Sequence, residues 1–228
     1  MLLQGALITL ELSILAQVIG VVLGMLAALG RTSRNPLLYA PANFYIWFFR
    51  GTPILVQLLF WYTGLPQLIP GLKFPEFQSA LLGLGINEGA YMAEIVRAGI
   101  LSVDRGQMEA AQSLGMTYGL AMRRIILPQA LRVIIPPTGN EFISMLKTSS
   151  LASVVAVDEL LQRAGNIYAV NFRNTELLAI AAIYYLVMTS IFSIGQAWLE
   201  SRLGDRRADV RNTWWRRMLS SQVAAAGH

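Results

Sequence analysis

Long apolar stretches alternate with short polar connections along the chain, and this alternation predicts five membrane-spanning helices. A helix needs about 20 mostly apolar residues to cross the hydrocarbon core of a bilayer. The predicted spans cover residues 2–30, 51–68, 79–100, 129–146 and 177–199. The predicted fold class is therefore all-α and polytopic, with a single membrane domain over residues 1–200 and a basic tail over residues 201–228.

The connections between the predicted spans carry residues that end helices or suit a membrane surface. Asn35-Pro36 follows the first span and predicts its end. Residues 43–50 are dense in aromatic side chains, which are enriched at bilayer interfaces. Residues 147–176 are less regular, and we expect a re-entrant piece at 151–157 and a polar helix at 158–168.

Composition supports a membrane protein and excludes several kinds of site. The chain is 55% hydrophobic and 14% charged, whereas soluble domains carry about 25% charged residues. It has no cysteine, so disulfides and thiolate metal sites are excluded, and its single histidine is His228. No phosphate-binding loop of the type Gly-x-x-x-x-Gly-Lys-Ser/Thr occurs. We therefore predict a chain that is not an enzyme and holds no cofactor of its own.

The positive charges are distributed unequally between the two sides of the predicted membrane domain. Lys73, Arg163 and Arg173 fall on one side, Lys147 falls at membrane depth, and the remaining 14 of the 18 basic residues fall on the other side. Lysine and arginine concentrate on the cytoplasmic side of membrane proteins. This asymmetry predicts an outside N-terminus and a cytoplasmic C-terminus. It also accounts for the net charge of +5 without a nucleic-acid partner.

Two predicted spans carry polar residues at helical spacing. In the third span, Asn87, Tyr91 and Glu94 lie at i, i+4 and i+7; in the fourth, Glu141, Ser144 and Thr148 lie at i, i+3 and i+7. A charge at the bilayer centre costs about 2.5–3.5 kcal/mol on insertion scales, so such residues face a partner or a wet cavity. The predicted substrate-binding residues are Glu88, Asn140, Glu141, Ser144, Lys147, Thr148 and Ser149.

The chemistry of these residues matches a zwitterionic amino acid. The Lys147 ammonium would suit a substrate carboxylate, and Glu141 or Glu88 would suit a substrate ammonium. Pro136-Pro137 predicts a break in the fourth helix, and broken helices line cavities in transporters. The alternative is an internal Glu–Lys ion pair that holds helices together. For Glu94 and Arg97 we expect such a structural pair.

A polar stretch, EAAQSLGMTYGLAMRRIILP over residues 109–128, lies between two apolar spans. It predicts two short helices bent about Gly115, with Pro128 ending the second or beginning the next. The stretch resembles the EAA loop of the membrane-spanning subunits of ABC importers, which docks on the ATPase; an ordinary amphipathic loop is the alternative. The resemblance implies a coupling loop over residues 104–128 with these coupling residues: Glu109, Ala110, Ala111, Gly115, Leu127 and Pro128.

Most of the chain, from about residue 5 to residue 199, resembles the polar amino acid permease subunits of ABC importers, of the histidine/glutamine type. The matching motifs include Arg50-Gly51-Thr52-Pro53, Glu88-Gly89-Ala90-Tyr91, Glu94-Ile95-Val96-Arg97, Leu127-Pro128-Gln129-Ala130, Asn140-Glu141-Phe142 and Lys147-Thr148-Ser149-Ser150-Leu151. Members often carry Asp where this chain has Thr148. The resemblance implies a type I importer permease fold in the bacterial inner membrane.

The resemblance also implies partners and a cofactor bound elsewhere. It implies a dimeric pore with an identical or paralogous permease, two ATPase subunits that bind ATP-Mg, and an extracytoplasmic solute-binding protein that delivers an amino acid. The competing function is an ion-coupled secondary amino acid carrier or a channel, because intramembrane Glu88, Glu141 and Lys147 could serve ion coupling.

Overall fold

The computed structural model describes residues 1–33 and 35–203, and these form helices joined by short connections. Ten α-helices follow in chain order: α1 (Leu2–Thr32), α2 (Pro36–Gly51), α3 (Ile54–Leu59), α4 (Leu65–Leu68), α5 (Glu76–Leu101), α6 (Arg105–Ser113), α7 (Tyr118–Ala121), α8 (Leu127–Thr148), α9 (Leu160–Asn171) and α10 (Asn174–Leu203). π-Helical turns at Phe60–Gly64 and Met122–Ile126 and a 3₁₀ helix at Ser149–Val155 complete the set. The described residues contain no strand, which confirms the all-α prediction.

Four long helices, α1, α5, α8 and α10, overlap four of the predicted spans, whereas the predicted span over residues 51–68 consists of α3, a π-helical turn and α4. Within the described part of the chain, α1 and α10 are each long and apolar enough to cross a bilayer. The pair formed by α2 and the segment Ile54–Leu68 is also apolar enough, and it is bent by 106°. Helices α5 and α8, of 26 and 22 residues, have the length for a span but carry charged side chains.

Helices α1 and α5 pack closely because small residues lie along their contact. An added side chain at Gly24 would overlap Met92, and one at Gly85 would come within 2.9 Å of Ile19. Small residues let helix backbones approach closely in membranes. Leu12 of α1 and Leu84 of α5 are almost fully buried beside this contact. The α1–α5 pair is therefore the fixed centre on which the other helices pack.

The corner between α2 and α3 is stabilised by two amide side chains. The Gln57 side-chain amide donates to the carbonyls of Phe49 and Thr52, both at 3.1 Å. Asn87 of α5 donates to the same Phe49 carbonyl at 2.9 Å. Carbonyls at a helix end need such partners where water is scarce. The corner therefore presents residues 50–53 to the interior of the helix bundle.

Helix α8 runs without interruption through Pro136-Pro137, so the predicted helix break is wrong. Each proline removes only one backbone donor. Gln196 of α10 donates to the Pro136 carbonyl at 2.8 Å, and Thr138 donates to the Ile134 carbonyl at 2.8 Å. The prolines leave without a backbone donor the carbonyls four residues earlier, at Arg132 and Val133, and membrane helices tolerate such a loss where water, local adjustment or neighbouring groups satisfy the freed carbonyls.

Residues 149–171 turn back beside the bundle. The predicted re-entrant piece corresponds to the 3₁₀ helix Ser149–Val155, and the predicted polar helix corresponds to α9. Glu159, which is fully buried, caps α9 by accepting from the Gln162 backbone at 2.8 Å, and it accepts from the Tyr185 hydroxyl at 2.7 Å. This carboxylate joins α9 to α10. The predicted basic tail lies outside the described residues beyond Leu203.

Candidate functional site

A cavity of about 490 Å³ opens among the α2–α3 corner, α5 and α8. The corner contributes Arg50, Gly51, Thr52, Pro53 and Ile54; α5 contributes Leu84, Asn87, Glu88 and Tyr91; α8 contributes Glu141, Ser144, Met145 and Thr148. We call it the first cavity. Of the polar residues of α5 and α8 that the helical spacing grouped, all except Glu94 therefore face the same space.

Two carboxylates form the acidic part of the first cavity. Glu88 is only 5% exposed, and one of its oxygens has no hydrogen-bond partner among the described residues. Its side chain lies against α1 where Gly20 lacks a Cβ, so the α1–α5 contact fixes its position. Glu141 of α8 is half-buried. A buried carboxylate that forms no ion pair within the protein is suited to accept a hydrogen bond from a charged group of a ligand.

Arg50 is the basic group of the first cavity. It lies at the end of α2, with a guanidinium nitrogen 3.2 Å from a Glu94 oxygen and its guanidinium 5.4 Å from the centre of the Tyr91 ring. The side chain is 42% exposed, so donors remain available to a ligand. A planar guanidinium matches the geometry of a carboxylate. The cavity thus combines one guanidinium with two carboxylates.

The predicted substrate-binding residues divide into two groups. Four of them line the first cavity: Glu88, Glu141, Ser144 and Thr148. Asn140 and Lys147 lie on an exposed face of α8, and Ser149 is buried with its hydroxyl donating to the Leu146 carbonyl at 2.9 Å. Over residues 1–33 and 35–203, Lys147 forms no ion pair with Glu141 or Glu88. In this conformation the cation of the cavity is Arg50 rather than Lys147.

Arg50, Thr52 and Asn87 were not among the predicted site residues. A signal was present in the sequence, since Arg50 follows an aromatic run and precedes Gly51-Thr52-Pro53, which ends a helix beside an apolar stretch. The spacing of residues within one helix cannot place Arg50 at the cavity. The 106° bend after α2 brings Arg50 there, and this bend is a feature of the tertiary structure.

Glu94 is the centre of an arginine cluster at the end of the first cavity nearer the α5–α6 connection. The predicted pair with Arg97 is confirmed, with 2.9 Å between the Arg97 Nε and a Glu94 oxygen. Arg31 of α1 and Arg50 of α2 bind the other oxygen. We call these four residues the Glu94 cluster; it joins three helices.

The predicted coupling loop begins with α6 and turns at Gly115. Gly115 has φ +83°, and its N–H donates to the Gln112 carbonyl at 2.9 Å while the Met116 N–H donates to the Ala111 carbonyl at 3.1 Å. This is a Schellman motif. Glu109 and Ala110 are exposed and Ala111 is buried.

The second predicted short helix is not separate from the span that follows it. Thr117 caps α7, which continues through the π-turn into α8. Leu127 is half-buried, and the exposed Pro128 lies in the first turn of α8, so the proline begins a helix rather than ending one.

Comparison with known proteins identifies the family of the chain. The family model described as "Binding-protein-dependent transport system inner membrane component" matches residues 20–205. The chain belongs to this family. As a member, it is a multi-pass inner-membrane permease subunit, as the predicted resemblance implies.

Individual relatives support the same assignment. The chain is 50% identical over 209 residues to the arginine transport system permease protein ArgU of Corynebacterium glutamicum, covering 86% of this chain and 66% of that protein. It is 46% identical to the probable amino-acid permease protein YxeN of Bacillus subtilis, covering 86% of this chain and 88% of that protein. The predicted resemblance to amino-acid permease subunits is confirmed.

Solved structures confirm the predicted fold. The crystal structure of an amino acid ABC transporter with histidines matches with a TM-score of 0.84 at 46% identity, over 88% of this chain and 93% of that chain. The methionine ABC transporter MetNI matches with a TM-score of 0.75 at 21% identity, over 89% and 96% of the two chains, which shows a shared fold. The type I importer permease fold is therefore present.

Proposed function

We propose that this chain is the transmembrane subunit of an ATP-driven importer for polar amino acids. The observation that carries the proposal is the first cavity, where Arg50 lies across from the carboxylates of Glu88 and Glu141. An amino acid presents one carboxylate and one ammonium, and these would bind Arg50 and a glutamate. The proteins that resemble the chain include arginine and glutamine transport permeases.

The first cavity has two carboxylates, whereas the backbone of an amino acid has one ammonium. The second carboxylate therefore supports a polar or cationic side chain on the substrate. One glutamate neutralises the α-ammonium. The other would stay uncompensated beside an apolar side chain but gains a partner from a guanidinium, ammonium or amide group. Because Glu88 is the more buried of the two and has an unpaired oxygen, we assign it to the substrate side chain and Glu141 to the α-ammonium.

An exposed polar stripe on α8 supports a second permease subunit. Asn140, Ser144 and Lys147 lie at i, i+4 and i+7 and are all exposed. Polar and charged residues at membrane depth avoid lipid. We therefore assign this stripe, Lys147 included, to the wall of a pore shared with a second permease, identical or paralogous.

The α6–α7 region supports coupling to a separate ATPase. Leu114 is 85% exposed and Tyr118 is 59% exposed beside the exposed Glu109. Large apolar side chains exposed on a polar loop are typical of a protein contact. The partner ATPase would bind ATP-Mg and drive transport through this loop.

The charge distribution supports the orientation. The segment from α6 through the π-helical turn Met122–Ile126 carries Arg105, Arg123 and Arg124, whereas the connection after α4 carries the single Lys73. By the positive-inside rule we assign the ATPase side to the cytoplasm and the N-terminus to the outside, where a solute-binding protein would deliver the amino acid.

Uptake in reconstituted vesicles tests the proposal. The chain is reconstituted with its ATPase and solute-binding protein, and uptake of L-arginine and L-glutamine is measured with ATP and with a non-hydrolysable analogue. We expect uptake only with ATP. Uptake driven by a proton or sodium gradient without ATP would instead support an ion-coupled carrier, for which the unpaired oxygen of Glu88 is the favouring observation.

A further inference from the structure

A second cavity of about 450 Å³ lies between the first cavity and the α5–α6 connection. Its lining includes Asn43 and Trp47 of α2, Arg31 of α1 and Glu94 of α5. Three residues line both cavities: Arg50, Gly51 and Tyr91. The two cavities therefore adjoin at these residues, and the side chains of Arg50 and Tyr91 form the wall between them.

The wall is held by two weak contacts of Arg50. Its guanidinium is 3.2 Å from a Glu94 oxygen and 5.4 Å from the Tyr91 ring centre. The side chain of Arg50 is 42% exposed, the most exposed in the Glu94 cluster, where Glu94 itself is 21% exposed. Partly solvated ion pairs and cation–π contacts are readily exchanged. Arg50 is thus the least fixed member of the cluster.

If Arg50 moved away from Glu94, the Glu94 carboxylate would still have cationic partners. Arg31 binds the same Glu94 oxygen, and Arg97 binds the other oxygen at 2.9 Å. Glu94 would keep two cations after losing the third. Two guanidinium groups, those of Arg31 and Arg50, line the second cavity against the single carboxylate of Glu94, and this excess of positive charge favours an anionic ligand there.

We propose that the second cavity is a second substrate station, which binds the carboxylate of an amino acid leaving the first cavity, and that Arg50 with Tyr91 is the gate between the two. Arg50 can bind a carboxylate on either side, because it lines both cavities. As the substrate moves from the first cavity to the second, the Arg50 guanidinium would stay bound to the substrate carboxylate and would separate from Glu94. The proposal rests on the proposed amino acid import.

Leak through the assembled transporter tests the gate. The full complex is placed in vesicles loaded with L-arginine, and efflux is measured without ATP. We expect Arg50→Gln to raise efflux by about tenfold, the change corresponding to one charge-assisted hydrogen bond. Arg50→Lys, which keeps the charge but loses the planar fork, should give an intermediate rate.

Arg97→Gln is the matched control, because Arg97 binds Glu94 but lines neither cavity. We expect its efflux to equal that of the unmodified protein. Equal leak from Arg97→Gln and Arg50→Gln would make the cluster purely structural and overturn the gate. Unchanged efflux in Arg50→Gln would overturn it as well. Monodisperse elution of each complex establishes that the variants fold.

Cysteine protection tests the second station, and the absence of native cysteine makes single reporters unambiguous. Asn43→Cys reports the second cavity and Ser144→Cys reports the first. L-Arginine should slow thiol labelling at both positions. Agmatine, which is arginine without its carboxylate, should protect Ser144→Cys but not Asn43→Cys. Equal protection of Asn43→Cys by both compounds, or by neither, would overturn the carboxylate station.

ATP-driven uptake by the unmodified complex is measured in the same vesicles. A complex that imports no amino acid contradicts the proposed function. Normal import by the unmodified complex with unchanged efflux in Arg50→Gln contradicts only the gate, and normal import with no protection of Asn43→Cys contradicts only the second station.

Discussion

Gly115 provides a graded test of the coupling loop, because its requirement for glycine is conformational rather than steric. The residue has φ +83°, which side chains with a Cβ rarely adopt, yet an added Cβ would meet no atom within 4 Å. Substitutions therefore change the backbone energy of the turn and leave its packing intact. The turn sets the direction in which α7 leaves α6.

The expected cost follows from the residue type. An L-residue with a Cβ in left-handed backbone costs roughly 1–2 kcal/mol, Asn costs less because it tolerates this region, and a β-branched residue costs more. We expect the native turn to weaken in the order Asn, Ala, Val at position 115. Since about 1.4 kcal/mol is a tenfold change in an equilibrium constant, Gly115→Ala should lower the equilibrium constant for the native turn by roughly tenfold and Gly115→Val should lower it most.

Transport rate and ATPase co-purification measure this order. Membrane insertion should be normal throughout, because the turn lies outside the predicted spans. Gly119→Ala is the matched control; Gly119 lies in α7, lacks a positive φ, and has open space around an added Cβ. Ala favours helix over Gly by about 1 kcal/mol, so this control should transport normally. Normal transport and ATPase association by Gly115→Val would refute the coupling assignment.

Three further predictions concern topology, the substrate and α8. Lys73→Cys should react with a membrane-impermeant thiol reagent from outside intact cells and Arg123→Cys should not; the reverse pattern would overturn the orientation. Glu141→Gln should weaken substrate binding by about ten- to a hundredfold, the loss expected for a charge-assisted hydrogen bond, while the complex assembles normally; unchanged uptake would contradict its role. Gln196→Leu should destabilise the protein by about 1 kcal/mol, read as a lower midpoint in a thermal shift assay, because α10 loses its 2.8 Å hydrogen bond to the Pro136 carbonyl of α8; an unchanged midpoint would contradict this.

Features that depend on a single helix or a single turn were predictable from the sequence. Glu88 on α5 and Glu141 on α8 were expected to face a cavity, and both line it. Gly115 was expected to turn the loop, and it has the positive φ of a helix C-terminal glycine. These inferences depended on local periodicity and local backbone preference, which need no knowledge of neighbouring helices.

Features that depend on contacts between helices were not predictable in the same way. Pro136-Pro137 predicted a break, yet α8 continues through both prolines, and Gln196 from a helix about sixty residues later in the chain bonds the Pro136 carbonyl there. The role of Arg50 depends on the bend after α2, which Gln57 and Asn87 stabilise by bonding the same carbonyl. In both cases a side-chain amide from another helix decides the backbone geometry.

Helix α5 lines both cavities, and its residues face first one cavity and then the other along the helix. Glu88 lines the first cavity, Tyr91 lines both, and Glu94 lines the second. At a rise of 1.5 Å per residue, the six positions from Glu88 to Glu94 correspond to about 9 Å along the helix axis. A substrate that exchanges one station for the other therefore moves less than two helical turns, and the side chain at position 91 lies midway. Removing the Tyr91 ring should thus alter substrate retention in both cavities at once, whereas changing Glu88 should alter only the first.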